Sequence, residues 1–196
     1  MTLFWRRASG ALIFSGLLVL AIPASHRAAG VIAQSRALSV APSHSLSAPR
    51  GLLAGEPVGR IRIARLAIDY AVFEGTTDAV LRKGPGHLLG TAWPGLTAAP
   101  GNCVIAGHRD SFFRSLARAR VGDVVTLTGP EGRRDYRLTG SRIVTPDDLD
   151  AARPLEHERL TLVSCYPFRW AGPAPYRIVW TGVPIGTALR KTLTAS

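Results

Sequence analysis

A histidine, a cysteine and an arginine each stand at the end of a short apolar segment in the second half of the chain. His108 closes "NCVIAGH", Cys165 closes "LTLVSC", and Arg177 stands near the start of "PYRIVW". A thiolate can attack a carbonyl carbon, and a neighbouring histidine or arginine favours the thiolate over the thiol. An arginine can also hold a developing oxyanion through charge-assisted hydrogen bonds. As residue types alone the three are a weak signal, because most chains of this size contain them.

The chain has only two cysteines, Cys103 and Cys165. A structural role is the alternative reading of both, because free cysteine is among the residue types most often buried. Cys103 lies inside the apolar segment that leads to His108, and we expect it in the core. A disulfide between the two is permitted in an exported domain. It would silence thiol chemistry, so we expect both thiols to be free in the active protein.

The elements that must position these residues read as many short strands. From Gly59 onward, clusters of Gly, Pro and Asp separate apolar segments, and "GRIRIARLAI" alternates arginine with isoleucine as a half-solvated strand does. Seven or eight such strands with minor helices predict a mostly β fold, a closed or nearly closed barrel. Short helical stretches are predicted in "TTDAVLRKGPG" after Thr76 or Thr77, in "SFFRSLARAR", and in "TPDDLDAARP" with a cap near Thr145 or Asp147.

The N-terminal part of the chain has a different composition. Arg6 and Arg7 precede an uncharged stretch whose apolar centre is 11–22, of a length between a signal peptide and a full membrane span. It predicts either an uncleaved anchor with a cytoplasmic N-terminus or a cleaved signal peptide, and both export the remainder. The expected organisation is an anchor or signal peptide at 1–26, a flexible tether at 27–55, a globular domain at 56–188 and a tail at 189–196.

The charge balance is strongly basic. Lys and Arg number 24 against 13 Asp and Glu, a net charge of +11. Such a balance suits an anionic cell envelope as well as nucleic acid. The sequence has no zinc-finger spacing, RNP-like motif or basic helix with periodic aromatic residues, so we expect no nucleic-acid partner.

The sequence motifs around the three reactive residues indicate a protein family more specifically than the residue types themselves. "GNCVIAGHRDSFFRSL", "LTLVSCYPF" and "GPAPYRIVW", in this order and at these separations, resemble the sortase family of cysteine transpeptidases. The resemblance runs from Val58 to Val183. "TLVSCYPF" followed by "GPAPYR" is most similar to the class D branch, and the arginine-rich sequence suggests a Gram-negative member. Ser164 departs from the family pattern, which usually has threonine there.

The resemblance implies a closed eight-stranded β-barrel with His108, Cys165 and Arg177 at one end as catalytic residues. It also implies an exported protein substrate with a C-terminal sorting motif similar to Leu-Pro-x-Thr-Gly, a Cys thioester, and an amine acceptor in the envelope. Anchored in the cell membrane by one span, the domain would face the extracytoplasmic side. No cofactor or metal is expected. Some sortases bind calcium near the acidic residues that precede the cysteine strand, but we expect those residues to form a solvated loop (Asp147, Asp148, Asp150, Glu156, Glu158).

Four further residues have more than one reading. Ser164, Tyr166 and His87 are predicted to contact substrate, although the setting "GPGHLLG" also allows His87 a purely structural role in a turn. Asp110 is expected to cap the helical turn in "SFFRSL", or else to orient His108. Two other functions stay open: an envelope cysteine hydrolase, in which water resolves the acyl enzyme, and a non-enzymatic barrel that binds anionic envelope material through its arginines.

Overall fold

The computed structural model of the protein describes residues 30–38, 53–94 and 101–186. The predicted anchor or signal peptide at 1–26 and the predicted tail at 189–196 lie outside these residues. Among the described residues, no helix has both the length and the apolar character needed to cross a bilayer.

Eight strands form one closed sheet in the order β1-β2-β3-β4-β7-β8-β6-β5. This confirms the predicted eight-stranded barrel. Most neighbours are antiparallel, but β2 with β3 and β4 with β7 are parallel. The strands are β1 Pro57–Ile63, β2 Ile68–Glu74, β3 Gly86–His87, β4 Asn102–Gly107, β5 Val124–Gly129, β6 Gly132–Val144, β7 Arg159–Tyr166 and β8 Tyr176–Pro184.

Side-chain alternation along each strand fills the barrel. On β7, Leu160 and Leu162 are fully buried in the central cluster, while Val163 between the inward positions faces outward and is only half-buried. Successive side chains of a strand point to opposite faces, so the same strand serves the core and an outer surface. The barrel interior is closed by aromatic and aliphatic side chains that include Trp93, Phe113 and Tyr136.

The segment predicted as one strand, 59–68, is two strands joined by a turn. A 3-10 helix at Ala64–Leu66 ends in Ala67, whose φ of 52° lies in the left-handed region. The turn carries Leu66 into the core, where it is 1% exposed, and reverses the chain into β2. The prediction of one strand was wrong because the turn is made at an alanine, without the glycine or proline that normally marks one.

A short helix, α1, spans residues 30–38, within the segment predicted to be a flexible tether. Gln34 is buried, and its Nε2 donates to the carbonyls of Ala71 and Lys83, both at 3.0 Å. Its Oε1 accepts from the Ala71 N–H at 2.7 Å. Ala33 and Ala37 of the same helix pack against a small cluster of barrel side chains: Ala71, Phe73 and Val80. The side-chain amide and the alanines thus attach these residues of the predicted tether to the barrel.

The edge of β2 explains why a glutamine does this. β3 pairs with β2 only at Phe73 and Glu74, so Ala71 lies on a part of the edge that no strand covers. Exposed strand edges present unpaired N–H and C=O groups. The primary amide of Gln34 carries one acceptor and two donors, and it satisfies both backbone groups of Ala71 as a strand would.

The remaining helices lie where the sequence predicted them, but two of them do not have the predicted N-cap residues. Helix α2 spans Asp78–Leu81 with Thr77 at the N-cap position, and 3-10 helices span Arg114–Arg118 and Leu149–Ala152. The last is capped by Asp148, whose side chain accepts from the Asp150 N–H, rather than by Thr145 or Asp147. The capping prediction for Asp110 was wrong: the N-cap of Arg114–Arg118 is Phe113, which makes no side-chain cap bond.

Candidate active site

His108 and Cys165 are brought together by two parallel strands. In the register of β4 with β7, Gly107 pairs with Ser164. The residues that follow this pair on the two strands, His108 and Cys165, are therefore neighbours. Adjacent strands lie about 4.8 Å apart. Alternation places both side chains on the outer face, since Ile105 and Leu162 occupy the core. Both residues are half-buried at the carboxyl ends of their strands.

Arg177 reaches the same point from the other side of Cys165. β8 is antiparallel to β7, and Cys165 pairs directly with Arg177. Side chains directly opposite each other on an antiparallel pair share one face of the sheet. The order His108, Cys165, Arg177 therefore runs across three adjacent strands, with the cysteine in the middle. The three predicted catalytic residues lie together.

Nη1 of Arg177 donates to the carbonyls of Tyr176 at 3.0 Å and Ala174 at 3.3 Å. Within the described part of the chain, its Nε and Nη2 make no hydrogen bond, so one edge of the guanidinium is free to meet a ligand beside Cys165. A planar guanidinium presents donors in a fixed fork that suits a carbonyl or an oxyanion.

The strand ends that carry the site are fixed from within the barrel. Ser164 is buried, and its hydroxyl donates to the Gly107 carbonyl at 2.9 Å, across the gap between β7 and β4. A side chain at Gly107 would meet the ring of Phe113 at 2.6 Å, so only glycine allows that ring to pack beneath the strand end. These contacts hold the backbones of residues 107 and 164, one position before the histidine and the cysteine.

An apolar groove on the outer face is lined by Arg177 and by residues that precede His108 on β4 and Cys165 on β7. Its floor comes from β4, β7 and β8, and its borders come from residues near β3 and from the segment between β6 and β7. Arg177 and Asp148 are the charged side chains among the described residues that line it. The groove suits an extended, mainly uncharged peptide, with the floor formed by Val104, Ala106, Val163 and Val179.

Asn102 holds one border of this groove, and no motif in the sequence singles it out. Its Nδ2 donates to the carbonyls of Ala151 at 2.9 Å and Arg153 at 3.2 Å, and its Oδ1 accepts from the Thr161 hydroxyl at 2.7 Å. A polar residue at the start of an otherwise apolar strand is the only sequence signal of this role.

Cys103 and Cys165 are both free thiols. Cys103 pairs with Leu160 in the register of β4 with β7, and Cys165 lies five residues farther along, a separation of about 16 Å at the rise of a strand. A disulfide needs Cα atoms within about 7 Å of each other. Burial raises the pKa of the Cys103 thiol, helped by the nearby Glu158 and Glu74 carboxylates. Cys103 is thus the inert core cysteine that was predicted.

The residues predicted to contact substrate do not line the groove. His87 is 1% exposed, with Nδ1 2.8 Å from Oε2 of Glu74 and Nε2 3.1 Å from the Ala92 carbonyl oxygen and 3.0 Å from the Thr91 hydroxyl. Its ring meets Trp93 edge-on, with centroids 5.4 Å apart. These contacts are those of the structural alternative for His87, and the predicted substrate contact stays a prediction. Ser164 faces the interior, and Tyr166 meets Phe168 edge-on at 6.4 Å.

Two of the acidic residues before β7, Asp148 and Glu158, are engaged with arginines. Arg142 donates to Asp148 at 2.8 Å, and Glu158 accepts from Arg134 at 2.7 Å and from the Tyr136 hydroxyl at 2.7 Å. Burial alone would raise the pKa of Glu158, but these hydrogen bonds and the charge of Arg134 outweigh it and lower that pKa. No group of three or more His, Cys, Asp or Glu among the described residues is arranged to hold a metal ion.

Comparisons with known proteins agree with this architecture. The sortase domain family matches residues 61–185. Sortase D of Bacillus subtilis (strain 168) is 33% identical over 130 residues, 65% of this chain and 64% of that protein. Sortase A of Bacillus anthracis is 27% identical over 138 residues, 68% of this chain and 62% of that protein. The matched regions span slightly less than two thirds of the length of either relative.

Solved structures show the same fold. A Clostridium perfringens Sortase D5 transpeptidase has a TM-score of 0.68 at 23% identity and covers 81% of this chain and 99% of that chain. A Clostridium perfringens sortase C, determined with the C-terminal cell wall sorting motif, has a TM-score of 0.62 at 25% identity and covers 70% of this chain and 75% of that one.

A closed barrel that sets a free cysteine between a histidine and an arginine at the ends of adjacent strands has the architecture of a cysteine-dependent enzyme. Within that class the chain belongs to the sortase family, whose members are cysteine transpeptidases. The class D resemblance read from the sequence fits the match to Sortase D.

Proposed function

We propose that this protein is a sortase that cleaves a sorting peptide through a Cys165 thioester and transfers the acyl group to an amine. The observation that carries the proposal is the register of β4, β7 and β8, which sets Cys165 between His108 and Arg177 on one outer face. Alternating side chains along β7 turn Cys165 to the same face as Val163, in the groove floor, so a peptide lying in the groove passes the thiol.

Each residue then has a defined task. The Cys165 thiolate attacks the scissile carbonyl, and the free edge of the Arg177 guanidinium donates to the oxyanion that forms. His108, on the opposite side of Cys165, protonates the leaving amine as the C–N bond breaks. The thioester remains on Cys165. An incoming amine attacks its carbonyl, the C–S bond breaks, and the products are an amide and the free thiol.

The substrate in this proposal is an exported protein with a C-terminal motif similar to Leu-Pro-x-Thr-Gly. Two observations support a peptide of this kind. The groove floor is apolar and is formed by small valine and alanine side chains. The structure of the similar sortase C from Clostridium perfringens was determined with a C-terminal cell wall sorting motif. The acceptor is an amine of the cell envelope.

We also propose that residues 1–26 hold the enzyme in the cell membrane, with the barrel on the extracytoplasmic side. Support comes from the sequence: Arg6 and Arg7 precede the uncharged stretch, and positive residues favour the cytoplasmic side of a span. Fractionation of cells that express the full chain tests this. Recovery of the protein in the soluble fraction with residues 1–26 still attached would contradict it.

The decisive experiment is mass spectrometry of the purified chain mixed with a sorting peptide, with and without an excess of a simple amine. We expect a covalent acyl enzyme on Cys165, mostly amide product when amine is present, and slow hydrolysis when it is absent. Cys165→Ala should form no adduct, while Cys103→Ala, the matched loss of the other thiol, should still form it. Free acid as the main product across a panel of amines, including diaminopimelate- and glycine-bearing ones, would instead establish the hydrolase alternative.

A further inference from the structure

Arg109 follows His108 directly and holds the loop that follows Cys165. Its Nη1 donates to the Pro167 carbonyl at 3.1 Å, and its Nη2 donates to the carbonyls of Trp170 at 3.2 Å and Gly172 at 2.8 Å. One guanidinium thus binds three backbone carbonyls of the β7–β8 loop, residues 167–175. The sequence offered only an arginine beside a histidine, which does not predict a contact nearly sixty positions away.

The loop has little else to hold it. Among the described residues it makes no backbone–backbone hydrogen bond, and three of its positions are prolines, which lack an N–H donor. Its other polar contacts are the Trp170 indole N–H to the Pro173 carbonyl at 3.0 Å and the Arg177 bond to Ala174. Apart from Phe168, which packs on the core cluster, the loop depends on Arg109 for its place.

The position of the loop separates it from the acyl-donor groove. No residue of 167–175 is among the described residues that line the groove, yet the loop begins two positions after Cys165 and ends just before Arg177. Along β7 the groove residue Val163 precedes Cys165 and the loop follows it, so the groove and the loop lie on opposite sides of the cysteine. In the proposed reaction the side of the loop is left for the nucleophile that resolves the thioester.

We propose that Arg109 is a positioning residue for the second half-reaction: by holding the β7–β8 loop it favours attack of an amine over attack of water on the acyl enzyme. This rests on the proposed transpeptidase function. Both nucleophiles attack the same thioester carbonyl and release the same thiol, one giving an amide and the other a carboxylic acid. An amine on a large acceptor must be oriented by a wall, whereas water needs little positioning. When the loop is released from Arg109, the acyl enzyme loses the wall that orients the amine, whereas water can still reach the thioester.

The test uses the full chain, purified in detergent, as Arg109→Ala, Arg109→Lys and Arg169→Ala variants. Arg169 is an exposed arginine of the same loop with no hydrogen bond among the described residues, so its removal changes charge without releasing the loop. Two quantities are measured by mass spectrometry: the rate of acyl-enzyme formation from a sorting peptide, and the ratio of amide to acid product over a series of concentrations of a diaminopimelate-bearing peptide amine.

We expect Arg109→Ala to lower the amide-to-acid ratio at least about fivefold, the factor that corresponds to losing one net hydrogen bond, with a much smaller change in the acylation rate. Arg109→Lys should lie between this variant and the wild type, because an ammonium cannot reproduce a planar fork that spans three carbonyls. Arg169→Ala should keep the wild-type ratio.

An unchanged ratio in Arg109→Ala overturns the inference, as does a parallel loss of acylation and transfer, which would mark a merely structural role. Should Arg109→Ala fail to fold, Arg109→Lys decides alone, since it keeps the charge and most of the volume. A wild-type protein that forms no acyl enzyme overturns the proposed function, and this inference with it. A wild type that transfers normally while the ratio ignores Arg109 refutes only the inference.

Discussion

Replacing Gln34 by alanine should weaken the whole barrel, although Gln34 precedes the first strand of the chain. The change removes three hydrogen bonds, two from the side-chain amide to the carbonyls of Ala71 and Lys83 and one from the Ala71 N–H. It also leaves the Ala71 groups unpaired on an edge that β3 does not cover.

The magnitude follows from those three bonds. Each buried neutral hydrogen bond contributes about 1 kcal/mol net, so the gross loss is about 3 kcal/mol. The alanine variant avoids the roughly 1.5 kcal/mol of side-chain entropy that fixing a glutamine costs. We therefore expect a loss of about 1.5 kcal/mol in the free energy of unfolding, which corresponds to a fall in Tm of about 3–6 °C for a domain of this size.

Urea unfolding followed by tryptophan fluorescence measures the loss, with Ser35→Ala as the matched control. Ser35 is the next residue of helix α1, is exposed, and donates only to the Ile32 carbonyl within the same helix. Its removal should change stability by less than about 0.5 kcal/mol. A Gln34→Ala loss no larger than that of Ser35→Ala would show that the helix does not stabilise the barrel in solution and would refute the reasoning.

Four further outcomes are expected. Cys103→Ala should retain turnover and lose at most about 3 kcal/mol of stability, as a small buried truncation does; loss of activity in a folded variant would contradict this. Arg177→Lys should lower kcat/KM at least about tenfold, and near-wild-type kinetics would remove Arg177 from the mechanism. Hydrogen bonds lower the pKa of Glu158, so its stabilising contribution is complete above the ordinary glutamate pKa of about 4.3 and is lost as the pH falls from there through the lowered pKa. On acidification, the stability of the wild type should therefore decline more steeply than that of Glu158→Gln. Parallel declines would contradict this. Removing residues 1–29 should leave a soluble, active barrel. Removing residues 1–50 should also leave an active barrel, but its free energy of unfolding should fall by at least the loss expected for Gln34→Ala. Equal urea midpoints for the two truncated proteins would contradict this.

Local patterns in the sequence predicted much of the barrel. Alternation marks the strands because a half-buried strand repeats every two residues, and the three reactive residues could be placed at strand ends from the apolar segments that precede them. Their mutual positions could not be predicted from these patterns. Whether Cys165 faces Arg177 depends on the β7–β8 register, and whether His108 joins them depends on a parallel pairing between distant segments.

The contacts that could not be predicted have the same origin. His87 sits in a glycine-rich segment that reads as a surface turn, but Glu74 and Trp93, distant in sequence, enclose it. Gln34 stands in an Ala- and Ser-rich segment and is fixed by the uncovered edge of β2 and by the Lys83 carbonyl. Arg109 has no local signal, since its three acceptors are backbone carbonyls. In each case the residue contacts a backbone or side-chain group that is distant in sequence. Neither the local composition nor the spacing of apolar residues reveals such a partner.

The parallel pairing of β4 with β7 also has a consequence for when the enzyme becomes reactive. Cys165 and Arg177 share a hairpin of adjacent strands and can meet through local folding. His108 joins them only when segments 57 residues apart close on each other, as the bond from Ser164 to Gly107 records. Such non-local closure is the slow part of folding for a β protein, because chain entropy is lost before contacts are gained. In the proposed mechanism Cys165 therefore gains both of its partners only when the barrel closes, so the reaction cannot begin on a partly folded chain.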